Sequence, residues 1–275
     1  MTDLKGPIGV FDSGYGGLTI LRSITEHLPQ YDYLYLGDNA RAPYGSRSYE
    51  TIYGYTLECV KWFFAKGCPL VILACNTASA KALRTIQQKD LPGLAKDNRV
   101  LGVIRPTTEI IGNLTTTGSI GILGTKGTIA SGSYPIELQR FFPSIKVYQH
   151  ACPLWVPMIE NDEYLNEGAD HFIEKDIKAL LQQDTQIDTI LLACTHYPLL
   201  LNTIRKFIPP SVQVITQGEI VAESLKRYLE VHGEIANRCM QSGKREFFTT
   251  DDPSDFDLHS TSFFGKEVKS KHLQL

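Results

Sequence analysis

Several features that would classify the chain at once are missing from it. No apolar run approaches the roughly 20 residues that cross a bilayer, so no membrane partner is expected. The six cysteines (59, 68, 75, 152, 194 and 239) form no C-x-x-C and no paired Cys/His spacing, so no metal site and no disulfide framework is expected. No G-K-[ST] is present, which removes the nucleotide P-loop. Positive charge is not in excess. The 27 Lys and Arg face 30 Asp and Glu, a formal net charge of −3, which argues against a dedicated nucleic-acid binder. Met1 to Gly6 lacks an apolar leader and runs into a strand pattern, so a cytoplasmic location with reduced thiols is expected. Low-complexity and linker-like stretches are also lacking.

What remains is an ordinary globular composition, 43% hydrophobic and 21% charged, in 275 residues, enough for one or two domains. Short β-rich runs at 7–11, 33–36, 70–74, 99–103, 119–123, 146–149, 189–193 and 212–216 alternate with helix-like segments at 17–27, 49–66, 78–88, 128–142, 170–182, 199–207 and 219–232. That alternation predicts an α/β fold of parallel sheets covered by helices, with ligands at the carboxyl ends of the strands.

An internal repeat refines this. Ile8-Gly9-Val10-Phe11-Asp12-Ser13 aligns with Ile120-Gly121-Ile122-Leu123-Gly124-Thr125, and Cys75-Asn76-Thr77 has a counterpart in Cys194-Thr195-His196. The offsets are 112 and 119 positions, and the motif order is the same in both copies. Two pseudo-symmetric α/β units with the site in the cleft between them are therefore expected. The first comprises 1–98 plus 212–275 and the second 99–211. Beyond Asn237 the pattern is weak, apart from a turn at 250–254 leading into a short helix.

Both Cys motifs follow an apolar strand and open a helix-like stretch, where free N–H groups favour a thiolate. Two such thiols suit a pair of bases facing one substrate. Asp12-Ser13-Gly14-Tyr15-Gly16-Gly17 reads as an anion cradle at a helix start, in competition with a plain tight turn. Gly124-Thr125-Lys126-Gly127-Thr128 offers two hydroxyls at another helix start. The 37–45 loop, ending Pro43-Tyr44-Gly45, offers backbone N–H groups. His196, two residues past Cys194, suits a proton shuttle. Cys59, Cys68, Cys152 and Cys239 are expected as small apolar fillers, and the other histidines as surface or structural groups.

These motifs, from Asp12-Ser13-Gly14 through Ala74-Cys75-Asn76-Thr77-Ala78 to Cys194-Thr195-His196-Tyr197-Pro198, resemble the glutamate racemases of the Asp/Glu racemase superfamily. The resemblance implies a cofactor-independent isomerase that interconverts L- and D-glutamate for peptidoglycan, working as a homodimer. It implies that Cys75 takes the α-proton of D-glutamate and Cys194 that of L-glutamate. Substrate contacts carry over to Asp12, Ser13, Pro43, Tyr44, Gly45, Asn76, Thr77, Thr125, Thr128 and Thr195, with Ser131 as a further candidate. Asp12, Asp38, Glu160 and His196 match positions that assist the thiols. Arg105 stands where many relatives carry Glu, which singles out the junction between the units. Aspartate or another amino acid as substrate, and a non-enzymatic anion-binding module, are the alternatives.

Overall fold

The structure is a computed structural model and describes residues 5–275. Its first strands, β1 (Ile8–Asp12), β2 (Tyr33–Gly37), β3 (Leu70–Leu73) and β4 (Arg99–Gly102), pair in parallel in the order β2-β1-β3-β4. The next four, β5 (Ser119–Gly124), β6 (Lys146–Ala151), β7 (Thr189–Ala193) and β8 (Gln213–Ile215), form a second parallel sheet in the order β6-β5-β7-β8. The two halves thus repeat one topology strand for strand. The chain then returns to the first sheet, where β9 (Arg245–Thr249) joins β2 and β10 (Ser270–His272) joins β9. The expected pair of parallel-sheet α/β units is what the chain forms.

Every residue of β1, β2, β3, β5 and β7 is buried, because helices cover both faces; parallel sheets therefore read as continuous apolar runs. The repeat has a packing cause as well. A Cβ at Gly9 would stand 2.6 Å from the Phe63 ring, and one at Gly121 would stand 2.7 Å from Leu180. In both central strands a glycine lets a covering helix, Tyr49–Ala65 or Glu167–Leu181, seat against the sheet.

The crossings between sheets differ from the expected 98/99 and 211/212. Arg99–Gly102 pairs with β3 and Gln213–Ile215 with β7, so the chain changes sheet after 102 and after 215. Apolar runs mark strands but do not say which sheet an edge strand joins. The expected helix over 128–142 is two helices, Lys126–Ala130 and Ser133–Phe141, broken by Gly132 in the left-handed region at φ 64°. The 78–88 segment begins earlier, at Asn76, and breaks after Lys81 into short turns. Strands β9 and β10 have no counterpart in the sequence-based expectation. Between them, Asp252 caps the helix Pro253–Phe264 by accepting from the Ser254 N–H at 2.7 Å, and Gly265 ends it at φ 78°.

Candidate active site

The carboxyl ends of β1 and β3 in the first sheet and of β5 and β7 in the second meet around one cavity of about 190 Å³. Hydroxyls join the two units there. Thr77 Oγ1 lies 3.0 Å from Thr125 Oγ1 and 3.4 Å from Thr128 Oγ1, and Thr19 Oγ1 donates to the Thr195 carbonyl at 2.9 Å. Gly16 permits this approach, since a Cβ on it would collide with Thr195 and the His196 ring.

Cys75 follows β3 and caps the Asn76–Lys81 helix, with its Sγ 3.5 Å from the Ala78 N–H and 3.5 Å from Ser13 Oγ. Its thiol is nevertheless pushed up to about 12. Burial is the main cause and the Asp12 carboxylate adds to it, while Ser13 and Ala78 oppose them. The expected thiolate-favouring effect of the helix start is present but loses, because this helix has only six residues and Cys75 is 5% exposed.

Cys194 follows β7 and lines the same cavity. It leads into a 3₁₀ turn, Tyr197–Leu200, rather than directly into an α-helix. Its Sγ lies 3.9 Å from His196 Nδ1, and His196 Nε2 lies 2.9 Å from Glu160 Oε1. Burial alone would lower His196, but Cys194 and Glu160 overcome it and raise the imidazole to about 10. His196 is therefore held protonated, between a carboxylate and a sulfur. Phe263, on the helix Pro253–Phe264, packs edge-on against the ring at 5.3 Å.

Of the expected site residues, Ser13, Asn76, Thr77, Thr125 and Thr195 line the cavity with the two cysteines, as do Pro43, Tyr44 and Gly45 of the loop. Glu160 and His196 complete the lining on the side of the second unit. Three expected residues stand behind it. Thr128 reaches the cavity through Thr77 and Thr125. Asp12 is 1% exposed, accepts from the Gly14 N–H at 3.0 Å, and is raised by burial. Its Oδ1 has no hydrogen-bond partner among the described residues; the Gly17 N–H is near enough to lower the carboxyl but makes no bond of ordinary geometry. Asp38 bonds to neither thiol. It accepts from Tyr44, from Arg41 Nε at 2.7 Å and from Thr250 Oγ1 at 2.9 Å, so it holds the Pro43–Tyr44–Gly45 loop in place. Ser131 turns away, donating to the Thr128 carbonyl at 2.6 Å. Arg105 is 68% exposed, pairs with Glu109 at 2.9 Å and lies outside the cavity.

Sequence reasoning missed two groups. Cys152, expected as an apolar filler, forms part of the cavity wall. Gln217 lies behind Asn76, takes its Nδ2–H at 2.7 Å, and donates to Tyr134 Oη and Thr107 Oγ1 at 2.9 Å and to the Val103 carbonyl at 3.1 Å. Val103 and Gln217 sit at the two chain crossings, so one buried amide ties both crossings to a site residue. Residue identity alone carried no signal for it. No metal set was expected; among the described residues, His150, Cys152 and Asp176 form one candidate donor group.

Residues 8–225 match the family model described as Asp/Glu/Hydantoin racemase. A curated glutamate racemase from Persephonella marina is 39% identical over 98% of this chain and 97% of its own length. One from Geobacter metallireducens is 38% identical over 95% and 93%. Among solved structures, glutamate racemase isoform RacE1 from Bacillus anthracis superimposes with a TM-score of 0.89 at 33% identity, covering 98% of both chains. The Francisella tularensis glutamate racemase in complex with D-glutamate gives 0.87 at 30% identity, again over 98% of both chains.

Proposed function

The chain belongs to the Asp/Glu/hydantoin racemase family, and on that footing we propose that it interconverts L- and D-glutamate by a two-cysteine, two-base reaction that needs no cofactor. The observation that carries this reading is the placing of Cys75 and Cys194, from equivalent strand ends of two sheets, on one cavity. Relatives of this length and identity are named glutamate racemases, and one solved relative holds D-glutamate.

The α-proton of an amino acid is very weakly acidic, so removal needs a close base and stabilisation of the developing carbanion. Cys194 Sγ takes the proton from L-glutamate on one face, and the Cys75 thiol delivers a proton to the α-carbon on the other. The reverse reaction exchanges the roles. At the start of the L-to-D direction one sulfur must be charged and the other protonated. The two environments differ: burial and the Asp12 carboxylate raise Cys75 to about 12, whereas Cys194 Sγ lies 3.9 Å from Nδ1 of His196, an imidazole raised to about 10. Ser13, Asn76, Thr77, Thr125 and Thr195 supply hydroxyl, amide and N–H donors for the substrate carboxylates, whose charge grows in the carbanion. Asp12 and Asp38 are positioning residues, the first behind the Ser13 turn and the second behind the Tyr44 loop.

The D-glutamate so made would supply peptidoglycan synthesis. A cytoplasmic homodimer belongs to the same reading; six free cysteines accord with a reducing compartment. No helix is long and apolar enough to cross a membrane among the described residues.

The test is incubation of the purified protein with L-glutamate in D2O, with no pyridoxal phosphate or metal added. Loss of circular dichroism together with α-deuterium incorporation is expected, with aspartate as the parallel substrate. Retention of the L-glutamate signal with no exchange, or faster exchange on aspartate, overturns the assignment.

A further inference from the structure

Outside the catalytic chemistry, one cluster joins three different ligand types. His150 lies near the end of β6 and Cys152 is the first residue after that strand. Asp176 comes from the helix Glu167–Leu181 packed on that strand. His150 Nε2 lies 3.0 Å from Asp176 Oδ1, and the nitrogen, sulfur and carboxylate oxygen all lie within 4.8 Å of one another. Cys152 is 1% exposed, Asp176 is largely buried, and His150 is half-buried.

The backbone beneath is fixed. The Cys152 N–H donates to the Gly124 carbonyl at 2.9 Å, and Tyr197 Oη donates to the Cys152 carbonyl at 3.2 Å. The Cys152 sulfur and the Asp176 carboxylate, two potential anions, stand together beside the His150 imidazole, an arrangement that a divalent cation relieves.

We propose that His150, Cys152 and Asp176 form a binding site for a zinc-class divalent cation in the wall behind the catalytic cavity. The donor set selects the metal. A thiolate disfavours Mg²⁺ and Ca²⁺, which take oxygen ligands, and one sulfur, one nitrogen and one oxygen suit Zn²⁺ or Co²⁺. Donors on a tetrahedral zinc stand about 3.3–3.6 Å apart, given metal–ligand bonds of about 2.0–2.3 Å. The cluster reaches that spacing by side-chain movement of about 1 Å. Binding displaces the Cys152 proton to solvent and leaves a fourth position for water on the half-exposed His150 side. Because Cys152 also lines the cavity, the ion would lock β6 and the Glu167–Leu181 helix together at the edge of the substrate site.

Co²⁺ is the probe, because a thiolate ligand gives it a charge-transfer band in the near ultraviolet. Cys75 and Cys194 line the neighbouring cavity and could also take the ion, so the titration uses the full chain carrying Cys75→Ser and Cys194→Ser, checked for native circular dichroism. One Co²⁺ per chain with a charge-transfer band is expected. Adding Cys152→Ser should abolish the band. Adding His150→Ala or Asp176→Asn should weaken binding by more than the roughly 10–100-fold typical of losing an outer-sphere partner. In the otherwise unmodified protein, Zn²⁺ should raise the melting temperature, and His150→Ala should remove that rise while leaving racemisation intact. Absence of a charge-transfer band, a band that survives Cys152→Ser, or Co²⁺ affinity unchanged by His150→Ala and Asp176→Asn overturns the proposal.

Discussion

Replacing Glu160 by Gln isolates the carboxylate that, together with Cys194, raises His196. Glu160 Oε1 and His196 Nε2 are 2.9 Å apart, with side chains 22% and 5% exposed. Unit charges 4 Å apart interact by about 4 kcal/mol at an effective dielectric of 20. Partial exposure of the carboxylate and the hydrogen bond that Gln retains reduce the loss to about 1.5–3 kcal/mol. That loss lowers His196 from about 10 back toward its ordinary value. The alkaline limb of kcat/KM should move with it, because a neutral His196 no longer presents a positive charge to Cys194. The assay is kcat/KM for both enantiomers by circular dichroism, from near-neutral to strongly alkaline pH. Enantiomers have equal free energy, so the two directions must give the same kcat/KM at every pH, which serves as an internal check. A folded Glu160→Gln enzyme whose alkaline limb stays in place would falsify the role given to this ion pair.

Four further outcomes follow from the same geometry. Cys75→Ser and Cys194→Ser should each nearly abolish racemisation, because a Ser hydroxyl is far less acidic than a thiol; on a glutamate analogue that eliminates a β-substituent, Cys75→Ser should still process the L-form and Cys194→Ser the D-form, and equal loss on both forms in both variants contradicts the facial assignment. Gly16→Ala should displace Thr195 and His196 at a cost of about 1–3 kcal/mol and lower kcat in a protein that still folds; full activity would show that the close approach at Gly16 is not needed. Gln217→Leu leaves Asn76, Tyr134 and Thr107 short of partners and should cost about 1–3 kcal/mol, read by urea unfolding, with kcat/KM reduced as well; unchanged stability refutes the tie between the crossings. The folded-state value of His196 lies above its ordinary 6.5, so its stabilising contribution is complete below about 6.5 and is lost as pH rises through about 10; melting temperatures that stay level over that span count against a buried imidazolium.

Legibility in the sequence followed what each signal physically encodes. The strand ends that carry Cys75 and Cys194 were readable because a strand buried on both faces must be apolar, and a polar Cys-Asn-Thr or Cys-Thr-His at its end has no packing reason to be there. The repeat was readable because β1 and β5 occupy the same central place and need the same glycine beneath a helix. Edge strands escaped for the opposite reason. β9 carries charged Arg245 and Glu246, and β10 is three residues long with Lys271 and His272 exposed, so neither shows an apolar run. Asp38 was expected to assist the thiols; its position after β2 could not reveal that Tyr44 and Arg41 fold back onto it.

The largest gap between sequence and structure concerns how the two halves are held in register. A two-base reaction tolerates little error in the distance across the cleft, since a proton must be passed at hydrogen-bond range on both faces. Covalent continuity alone does not set that distance, because the chain joins the units only at two crossings, after 102 and after 215. Besides the apolar core that spans both units, a small group of buried polar contacts sets it. Gln217 bonds to the Val103 carbonyl at the first crossing from its own place at the second, and the same amide bonds to Asn76 beside Cys75. Thr19 to Thr195 and Thr77 to Thr125 brace the other side of the cavity. Such contacts are directional and are costly to leave unpaired once buried, so they favour one relative placement of the units where apolar packing would accept several. On this argument the polar seam between the sheets, as much as the thiols, determines whether both faces of one α-carbon can be served.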